Sequence, residues 1–446
     1  MVEKRTHMSE TIPTADRLPL LGSALEVGRD PFRFLERAPA EYGPVFRVSI
    51  PGLSFVCYTD AELVERVLAA ESDRYRKDPR ELDLLGDLLG EGLLTARGEI
   101  WERGREHVQP AFYPGRLLEY GEEMLDRTGD ELERWEDGHR IDVHEAATRL
   151  TLSIVATTMF GVEDVEETDA IADAADAITS RFEPSRVPME IPLWVPTPAN
   201  RRYRRATDDL DDVIEAILRR RRESGGETDA DDRPDLCSAL LTAGESGALS
   251  DAEIRDHLVT MLLAGHETTA IALTYTLGLL ASHPDERERV LEEVRAPAEL
   301  TPRTELPHTD RAIREALRLY PPTYMLYRET ATTDTVAGYE ISEGTRVCLS
   351  QWAVHRNDRY YDDPLEFRPG RWTPEMRESL PEYAYFPFGG GPRQCIGRRF
   401  ALLELRLCLA RILRSVRIES VPETELTPTP ALTSRPDGPV PVRVRR

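Results

Sequence analysis

The sequence predicts a mainly α-helical fold with a minor β region. Apolar residues recur at three- and four-residue spacing over most of the chain, which is the period of a helix that buries one face. Segments with strand-like alternation are few and short. Hydrophobic residues make up 40% of the chain and charged residues 31%, a composition typical of globular proteins. Because no repeat or long linker divides the sequence, we expect one domain over residues 1–446.

The individual elements follow from this periodicity and from capping and turn signals. Ser250, with Glu253 three residues later, forms a capping box at the start of the longest apolar segment. The predicted helices lie near residues 60–70, 97–112, 115–137, 142–161, 199–224, 250–282, 284–296, 308–319 and 396–414. The other predicted segments are two strands within 45–56 around Pro51-Gly52, two within 335–349 hinged near Gly344, an irregular stretch over 361–394, and a flexible extension over 1–20.

The chain is strongly acidic, with 81 acidic and 57 basic residues and a formal charge of −24. A surface of this charge repels phosphate groups, so the composition argues against a nucleic-acid partner. The basic residues are arginine except for Lys4 and Lys77. An acidic, lysine-poor composition fits a salt-adapted, halophilic cytoplasm or a GC-rich genome, and we favour the first interpretation.

The cysteine pattern and the N-terminal segment bear on the cellular compartment. The chain contains five widely spaced cysteines: Cys57, Cys237, Cys348, Cys395 and Cys408. An odd number without a C-x-x-C pair fits neither a disulfide framework nor a zinc ribbon. The N-terminal segment lacks the apolar run of a signal peptide, and polar residues interrupt the apolar window 257–282. We therefore expect a cytoplasmic protein without a membrane anchor.

The strongest chemical signal is the segment 388–397, which reads Phe-Gly-Gly-Gly-Pro-Arg-Gln-Cys-Ile-Gly. Cys395 follows a glycine-rich loop and precedes an apolar helix, whose N-terminal N–H groups favour a thiolate. The glycines let the backbone approach a flat group, and Arg393 can pair with an anion beside it. This combination suits haem iron and its propionates. An isolated cysteine is more often a buried structural residue than a ligand. A phosphate-binding loop is the other alternative, but the G-K-[ST] that such a loop requires does not follow these glycines.

The same segment matches every fixed position of F-x-x-G-x-R-x-C-x-G, the haem-ligand signature of the cytochrome P450 family. The chain resembles this family from about residue 18 to residue 413. The resemblance implies a P450 fold around one haem b, with Cys395 as the axial thiolate ligand of the iron. The signature residues that it assigns to cofactor binding are Phe388, Gly391, Arg393 and Gly397.

A second motif that resembles the family is the E-x-x-R pair formed by Glu315 and Arg318. Residues three apart on a helix share a face, so the carboxylate and the guanidinium can meet. Such a pair alone is most often a solvated surface contact. The segment 367–372 resembles the family segment whose arginine completes an E-R-R triad. The resemblance therefore implies that Arg371 joins the pair in a structural role.

The long predicted helix contains Ala-Gly-His-Glu-Thr-Thr at 264–269, similar to the family's [AG]-G-x-[DE]-T-[TS]. Cleavage of O₂ requires protons, so an acid and a hydroxyl beside the oxygen are chemically useful. The resemblance makes Glu267 the proton-relaying acid and Thr268 the hydroxyl that holds oxygen or water. It also places Ala264 and Gly265 beside the cofactor, where a small side chain leaves room. A polar kink in a buried helix would explain one hydroxyl but not this set.

Four further residues are candidates for the haem propionates. Trp101 and Arg105 lie one helical turn apart and are similar to the family's W-x-x-x-R motif; a guanidinium fork suits a carboxylate. Taken alone, this pattern is more often a core tryptophan with an arginine that reaches solvent. Arg328 and His355 also fall where the family places propionate partners.

The pair of an acid, Glu267, and an alcohol, Thr268, favours a monooxygenase, because family members that use peroxide or act as isomerases commonly lack such a pair. The resemblance implies that the protein uses O₂ and two electrons to hydroxylate or epoxidise a hydrophobic small molecule, such as a fatty acid or terpenoid. A haem-thiolate sensor, electron carrier or isomerase and a haem-free structural protein stay open as alternatives. The residues expected to line the substrate pocket are Leu84, Leu85, Leu88, Phe182, Val187, Ile191, Trp194, Met325 and Leu326.

Electrons must reach the haem from a redox partner. The sequence contains neither a dinucleotide fingerprint nor a recognisable flavin or iron–sulfur module. We therefore expect a separate ferredoxin or flavodoxin with its reductase. Arg105, Arg398 and Arg399 are candidates for docking an acidic carrier.

Overall fold

The computed structural model describes residues 11–15, 23–162, 165–179, 181, 193–223 and 235–446. Within these residues helices dominate and the strands form small sheets, so the predicted fold class, mainly α with a minor β region, is confirmed. The chain divides into two compact units. The first comprises Met1–Asp83, Thr323–Glu366 and Thr373–Cys395, and the second Leu84–Pro322, Phe367–Trp372 and Ile396–Arg446. The assignment of one domain to residues 1–446 stays a prediction.

The helices are α1 (Ala24–Arg29), α2 (Pro31–Tyr42), α3 (Ala61–Glu65), α4 (Pro79–Leu89), α5 (Gly98–Val108), α6 (Pro114–Glu133), α7 (Val143–Phe160), α8 (Val165–Thr179), α9 (Pro198–Glu223), α10 (Leu236–Glu245), α11 (Asp251–Ser282), α12 (Pro284–Arg295), α13 (Pro307–Leu319), α14 (Gln351–Val354), α15 (Pro374–Ser379) and α16 (Arg398–Ser415). The strands are β1 (Val45–Ile50), β2 (Leu53–Tyr58), β3 (Tyr75–Lys77), β4 (Arg140–Asp142), β5 (Met325–Thr330), β6 (Asp334–Val336), β7 (Tyr339–Ile341), β8 (Arg346–Ser350), β9 (Arg417–Ser420), β10 (Pro428–Pro430), β11 (Ser434–Pro436) and β12 (Pro441–Arg445).

The first unit is built on a five-stranded sheet with the order β1-β2-β8-β5-β3. Strands β1 and β2 form the predicted hairpin, in which Gly52 adopts a φ of +80° that favours glycine. Strand β2 continues into the sheet by parallel pairing with β8, where Val56 lies opposite Val347. Buried aliphatic and aromatic side chains from this sheet form the core of the unit.

The prediction of two strands within residues 335–349 needs correction. Residues 335–349 hold three strands, because Ala337 and Gly338 both take a positive φ, 49° and 86°, and fold β6 and β7 into a tight hairpin. Gly344, with φ of +75°, forms the predicted hinge before β8. The flexible extension over residues 1–20 stays a prediction; within it, Ala15 donates its N–H to the carbonyl of Arg47 on β1 at 2.9 Å. The rest of that extension lies outside the described residues, except for 11–14.

The second unit is organised around α11, the longest helix of the described chain. Its N-terminus is the predicted capping box: the Glu253 N–H donates to Ser250 Oγ at 3.2 Å, and the Ser250 N–H donates to Glu253 Oε2 at 2.8 Å. From Thr269 to Ala281 nearly every side chain of α11 is buried, as expected of a central helix. Among the described residues, no helix has both the length and the apolar composition required to cross a membrane.

Helix α5 approaches the start of α11 closely enough to require a glycine. A Cβ at Gly104 would lie 2.5 Å from Cε1 of the His257 ring. His257 is 1% exposed, and burial lowers the pKa of its imidazole from 6.5 to about 4. The folded protein therefore holds this histidine in its neutral form.

Because His257 is buried in its neutral form, we expect the protein to lose stability at acidic pH. Between pH 6.5 and pH 4 the unfolded chain binds a proton at His257 that the folded protein does not bind, so the free energy of unfolding falls as the pH falls. The loss should reach about 2 kcal/mol at pH 5. Urea unfolding of His257→Asn should lose this part of the pH dependence, while His139→Asn, at an exposed histidine, should keep it. An identical pH dependence in wild type and His257→Asn would contradict the assignment.

Candidate active site

The first unit carries the glycine-rich loop that precedes Cys395. The loop is closed by a hydrogen bond from the Cys395 N–H to the carbonyl of Phe388 at 3.0 Å. Within it, the Gln394 N–H donates to the carbonyl of Gly391 at 3.1 Å and forms a short 3₁₀ turn that includes Arg393. These bonds fix the backbone on both sides of Cys395, and its side chain is exposed.

Two glycines of this loop are required by packing within the first unit. A Cβ at Gly391 would lie 1.7 Å from the carbonyl oxygen of Leu68, and its φ is +63°. A Cβ at Gly390 would lie 2.3 Å from Cε1 of Tyr383. The sequence suggested that these glycines give room for a flat group, whereas the contacts of Gly390 and Gly391 show close approach to protein atoms.

Cys395 is the exposed cysteine of the five, and the other four are buried. Burial raises the pKa of the Cys57 thiol, which also faces Cys348 on the neighbouring strand. Burial likewise raises the pKa of Cys237 to about 12 and raises that of Cys408, whose sulfur accepts a hydrogen bond from the Thr128 hydroxyl at 3.3 Å. A thiolate is therefore costly at Cys57, Cys237 and Cys408.

The remaining predicted residues of the first unit, Arg328 and His355, have backbone partners. The Phe386 N–H donates to Nε2 of His355 at 2.9 Å, which places the imidazole hydrogen of the neutral ring on Nδ1. The His355 ring also stacks on Tyr385, with a centroid distance of 5.4 Å. Arg328 on β5 donates from Nη1 to the carbonyl of Tyr327 at 2.8 Å. His355 thus holds the segment that enters the glycine-rich loop.

In the second unit, Trp101 and Arg105 lie on one face of α5, as predicted. The Arg105 guanidinium carbon is 5.6 Å from the centroid of the Trp101 ring, a distance suited to a cation–π contact. Both side chains are half-buried. Gly397 is the N-cap residue of α16 and provides no capping side chain to the first turn of that helix.

The segment 264–269 lies within continuous helix α11. Three consecutive carbonyls of this segment accept hydroxyl hydrogen bonds: Ala264 from Thr268 at 2.8 Å, Gly265 from Thr269 at 3.0 Å, and His266 from Thr151 on α7 at 3.0 Å. Hydroxyl hydrogen bonds of this kind compete with the backbone N–H to C=O hydrogen bonds of the helix and are associated with helix bending. The Thr268 hydroxyl hydrogen is therefore held by its own helix, and the oxygen keeps its lone pairs as acceptors.

Glu267 is held by two residues that sequence reasoning did not identify. Its Oε1 accepts a hydrogen bond from the Thr433 hydroxyl at 2.9 Å and pairs with Nη2 of Arg435 at 3.0 Å. Thr433 and Arg435 lie at the hairpin of β10 and β11. No local motif marks them, because the contact joins residues 166 positions apart in the sequence.

The predicted E-R-R triad is formed within the second unit. Glu315 is fully buried, and its carboxylate accepts from Arg318 Nη2 at 2.8 Å and from Arg371 Nε at 2.8 Å. The Arg368 N–H and the Trp372 indole N–H also donate to it, at 3.0 and 2.9 Å. One carboxylate on α13 therefore fixes both the side chains and the backbone of segment 367–372.

The apolar residues predicted to line the pocket have different environments. Leu85 and Leu88 on α4 are each 2% exposed, whereas Leu84 is 41% exposed. Trp194 is 79% exposed. Met325 and Leu326 on β5 are half-buried. Three further predicted pocket residues lie outside the described part of the chain: Phe182, Val187 and Ile191.

Comparison with known proteins agrees with these features. The family model for cytochrome P450 matches residues 12–440. The chain is 34% identical to cyclooctat-9-en-7-ol 5-monooxygenase of Streptomyces melanosporofaciens, with 92% of this chain and 90% of that protein covered. It is 32% identical to pentalenene oxygenase of Streptomyces avermitilis, with coverage of 97% and 96%. The crystal structure of the cytochrome P450DA heme domain matches with a TM-score of 0.84 at 28% identity, covering 98% and 97% of the two chains.

The family match extends over nearly the whole chain and includes relatives named as oxygenases. The conserved chemistry of this family is that of haem bound through a cysteine thiolate. The chain belongs to the cytochrome P450 family, and it is a haem-thiolate monooxygenase.

Proposed function

We propose that this enzyme hydroxylates or epoxidises a terpenoid, with Cys395 as the thiolate ligand of haem. The exposure of Cys395 carries this assignment, because a metal ligand must be reachable and the other four cysteines are buried. The positive first-turn N–H groups of α16, which starts three residues after Cys395, suit an anionic sulfur. Bound haem supplies O₂ binding and one-electron chemistry that no side chain can provide.

The donor set of the chain also fits the two propionates of haem. Arg105, Arg328 and Arg393 supply guanidinium groups, which bind carboxylates with paired N–H donors. The Trp101 indole and the Nδ1–H of His355 add neutral donors. Phe388, Gly391 and Gly397 belong to the loop around Cys395. Ala264 is exposed on α11, whereas a Cβ at Gly265 would lie 3.4 Å from Val155 on α7.

Glu267 and Thr268 are the proposed catalytic pair. The Thr433 hydrogen bond and the closest approach of Arg435 both fall on Oε1 of Glu267, so we assign proton uptake from water to Oε2. The Thr268 hydroxyl donates to the Ala264 carbonyl, so its oxygen can accept a hydrogen bond from a water molecule that passes the proton on. The acid thus moves protons, and the hydroxyl orients the water that receives them.

We expect Glu267→Gln and Thr268→Ala each to lower product formation about 10- to 100-fold, because general acid–base catalysis contributes roughly that much or more. The reductant should be diverted to hydrogen peroxide in both variants. The measurement is product and peroxide formed per reductant consumed, with pentalenene as the probe. Thr276→Ala is the matched control, since Thr276 makes the same kind of bond to the Ala272 carbonyl at 2.6 Å two turns further along α11. Unchanged product yield in Thr268→Ala would contradict the proposed role.

The substrate class is supported by the relatives. Two relatives that each cover more than nine-tenths of this chain are named for oxidation of cyclooctat-9-en-7-ol and of pentalenene, both terpenoids. The half-buried Met325 and Leu326 keep accessible apolar surface, which suits a hydrocarbon ligand. The test is a spectral titration of the ferric protein with pentalenene and, separately, with lauric acid. Tighter binding of lauric acid would favour a fatty-acid hydroxylase.

The proposed electron donor is a ferredoxin or flavodoxin with its reductase. Arg398 and Arg399 in the first turn of α16 are exposed, and Arg105 on α5 is half-buried. These cations can attract an acidic carrier although the chain as a whole carries a charge of −24. Such steering gives a reduction rate that falls with rising ionic strength.

A further inference from the structure

The hairpin of β10 and β11 is anchored by Ser434. Its N–H donates to the carbonyl of Pro322 at 2.8 Å, and its hydroxyl donates to the carbonyl of Pro321 at 2.6 Å. Ser434 is fully buried. The Arg435 N–H donates to the Thr433 carbonyl at 3.1 Å and closes a tight turn centred on Ser434, and the two residues that flank Ser434 both contact Glu267. The two hydrogen bonds of the buried Ser434 therefore fix the position of the backbone that carries Thr433 and Arg435.

Thr433 and Arg435 meet the same oxygen atom of Glu267. The Thr433 hydroxyl is 2.9 Å from Oε1, and Arg435 Nη2 is 3.0 Å from it. The side chains of Glu267 and Arg435 are 13% and 17% exposed, so the ion pair is largely shielded from water. A shielded, charge-assisted pair with a second donor holds a carboxylate in one rotamer far better than an exposed pair does.

The charged surroundings support this arrangement. His144 on α7 and His266 on α11 both sense the charges of Glu267 and Arg435, and burial lowers the pKa of each imidazole. Because His144 on the neighbouring helix and His266 on the same helix are held neutral, the Arg435 guanidinium is the cation that pairs with Glu267. The side chain of Asp142 acts on His144 from the start of α7.

We propose that Arg435 and Thr433 are positioning residues for the proton relay. They clamp Oε1 of Glu267 and thereby direct Oε2 to the water that exchanges protons with Thr268. This inference rests on the proposed role of Glu267, and it extends the relay from α11 to a hairpin near the C-terminus. It makes proton delivery depend on the hairpin position that Ser434 sets.

The spectroscopic test examines Glu267 directly in the haem-loaded protein. The carboxylate stretch of Glu267 is identified by infrared difference spectroscopy as the band that Glu267→Gln removes. We expect this band to shift in Arg435→Gln and in Thr433→Val, because each variant removes one donor to Oε1. Arg435→Lys keeps a cation and should restore most of the wild-type position. The matched control is Arg445→Gln, whose partner Glu419 lies 3.6 Å away in an exposed pair, and the Glu267 band should not move there.

The functional test uses the same variants with pentalenene. Arg435→Gln should lower product per reductant about tenfold, since misplacing a reacting group by about 1 Å costs up to 10²-fold. Arg435→Lys should recover most of that loss, and Arg445→Gln should show none. If Arg435→Gln leaves either the Glu267 band or the product yield unchanged, this inference is overturned, but the proposed proton relay through Glu267 is not. An unchanged yield in Glu267→Gln would overturn the proposed relay and the clamp together.

Discussion

Replacement of Glu315 by glutamine should lower the free energy of unfolding by about 3–5 kcal/mol. The Glu315 carboxylate is fully buried and accepts hydrogen bonds from Arg318, Arg371 and Trp372 and from the backbone of Arg368. Arg318 is also fully buried. A glutamine removes the negative charge that both the Arg318 and the Arg371 guanidinium groups contact, and it turns an amide N–H₂ toward donors. The measurement is equilibrium unfolding in urea.

The matched control for this prediction is Glu145→Gln. Glu145 pairs with Arg149 at 2.6 Å, but its side chain is 72% exposed. An exposed pair of this kind contributes about 0–1 kcal/mol, so the control should change stability by no more than that. Equal losses in Glu315→Gln and Glu145→Gln would show that the buried triad does not stabilise segment 367–372.

Gly391→Ala should destabilise the protein by about 3–5 kcal/mol and reduce the amount of haem bound. The new Cβ would lie 1.7 Å from the Leu68 carbonyl oxygen, a backbone atom that cannot move alone. The φ of +63° adds about 1–2 kcal/mol of strain for any residue with a Cβ. The loop that holds Cys395 must therefore shift. Unfolding in urea and the haem absorbance per protein measure the two effects.

Gly344→Ala separates strain from steric overlap. Gly344 has a φ of +75° in the same unit, and a Cβ there meets nothing within 4 Å. This control should lose only the strain of about 1–2 kcal/mol and should bind haem normally. If Gly391→Ala is no more costly than Gly344→Ala, the close approach of Gly391 to Leu68 does not exist in solution.

The sequence allowed correct prediction of the elements with strong local signals. Long helices such as α11 carry apolar residues over many turns, and the capping box at Ser250 marks the start of this helix. Elements with weaker local signals were missed, including α8 with 15 residues. Helix α10 has only ten residues, and the turn at Ala337 places a non-glycine residue at positive φ.

Site residues could be predicted where chemistry and motif coincide within a few positions. The contacts of the Glu315 triad and of Trp101 with Arg105 fall into this group, while the cofactor-binding roles of Trp101, Arg105 and Cys395 stay predictions. Thr433 and Arg435 could not be predicted, because their contact with Glu267 depends on the path of the C-terminal hairpin and no local spacing encodes it. The cytoplasmic location and the salt adaptation stay predictions from composition.

The most direct test concerns which thiol binds the iron. The measurement is the absorption spectrum of the reduced protein with carbon monoxide, for wild type, Cys395→Ala and Cys408→Ala at equal haem content. We expect the red-shifted Soret band of a thiolate-ligated haem in wild type and in Cys408→Ala, because Cys408 is buried and its thiol pKa is raised. Cys395→Ala should lose that band. A thiolate-type band that persists in Cys395→Ala, or that disappears in Cys408→Ala, would contradict the assignment of Cys395.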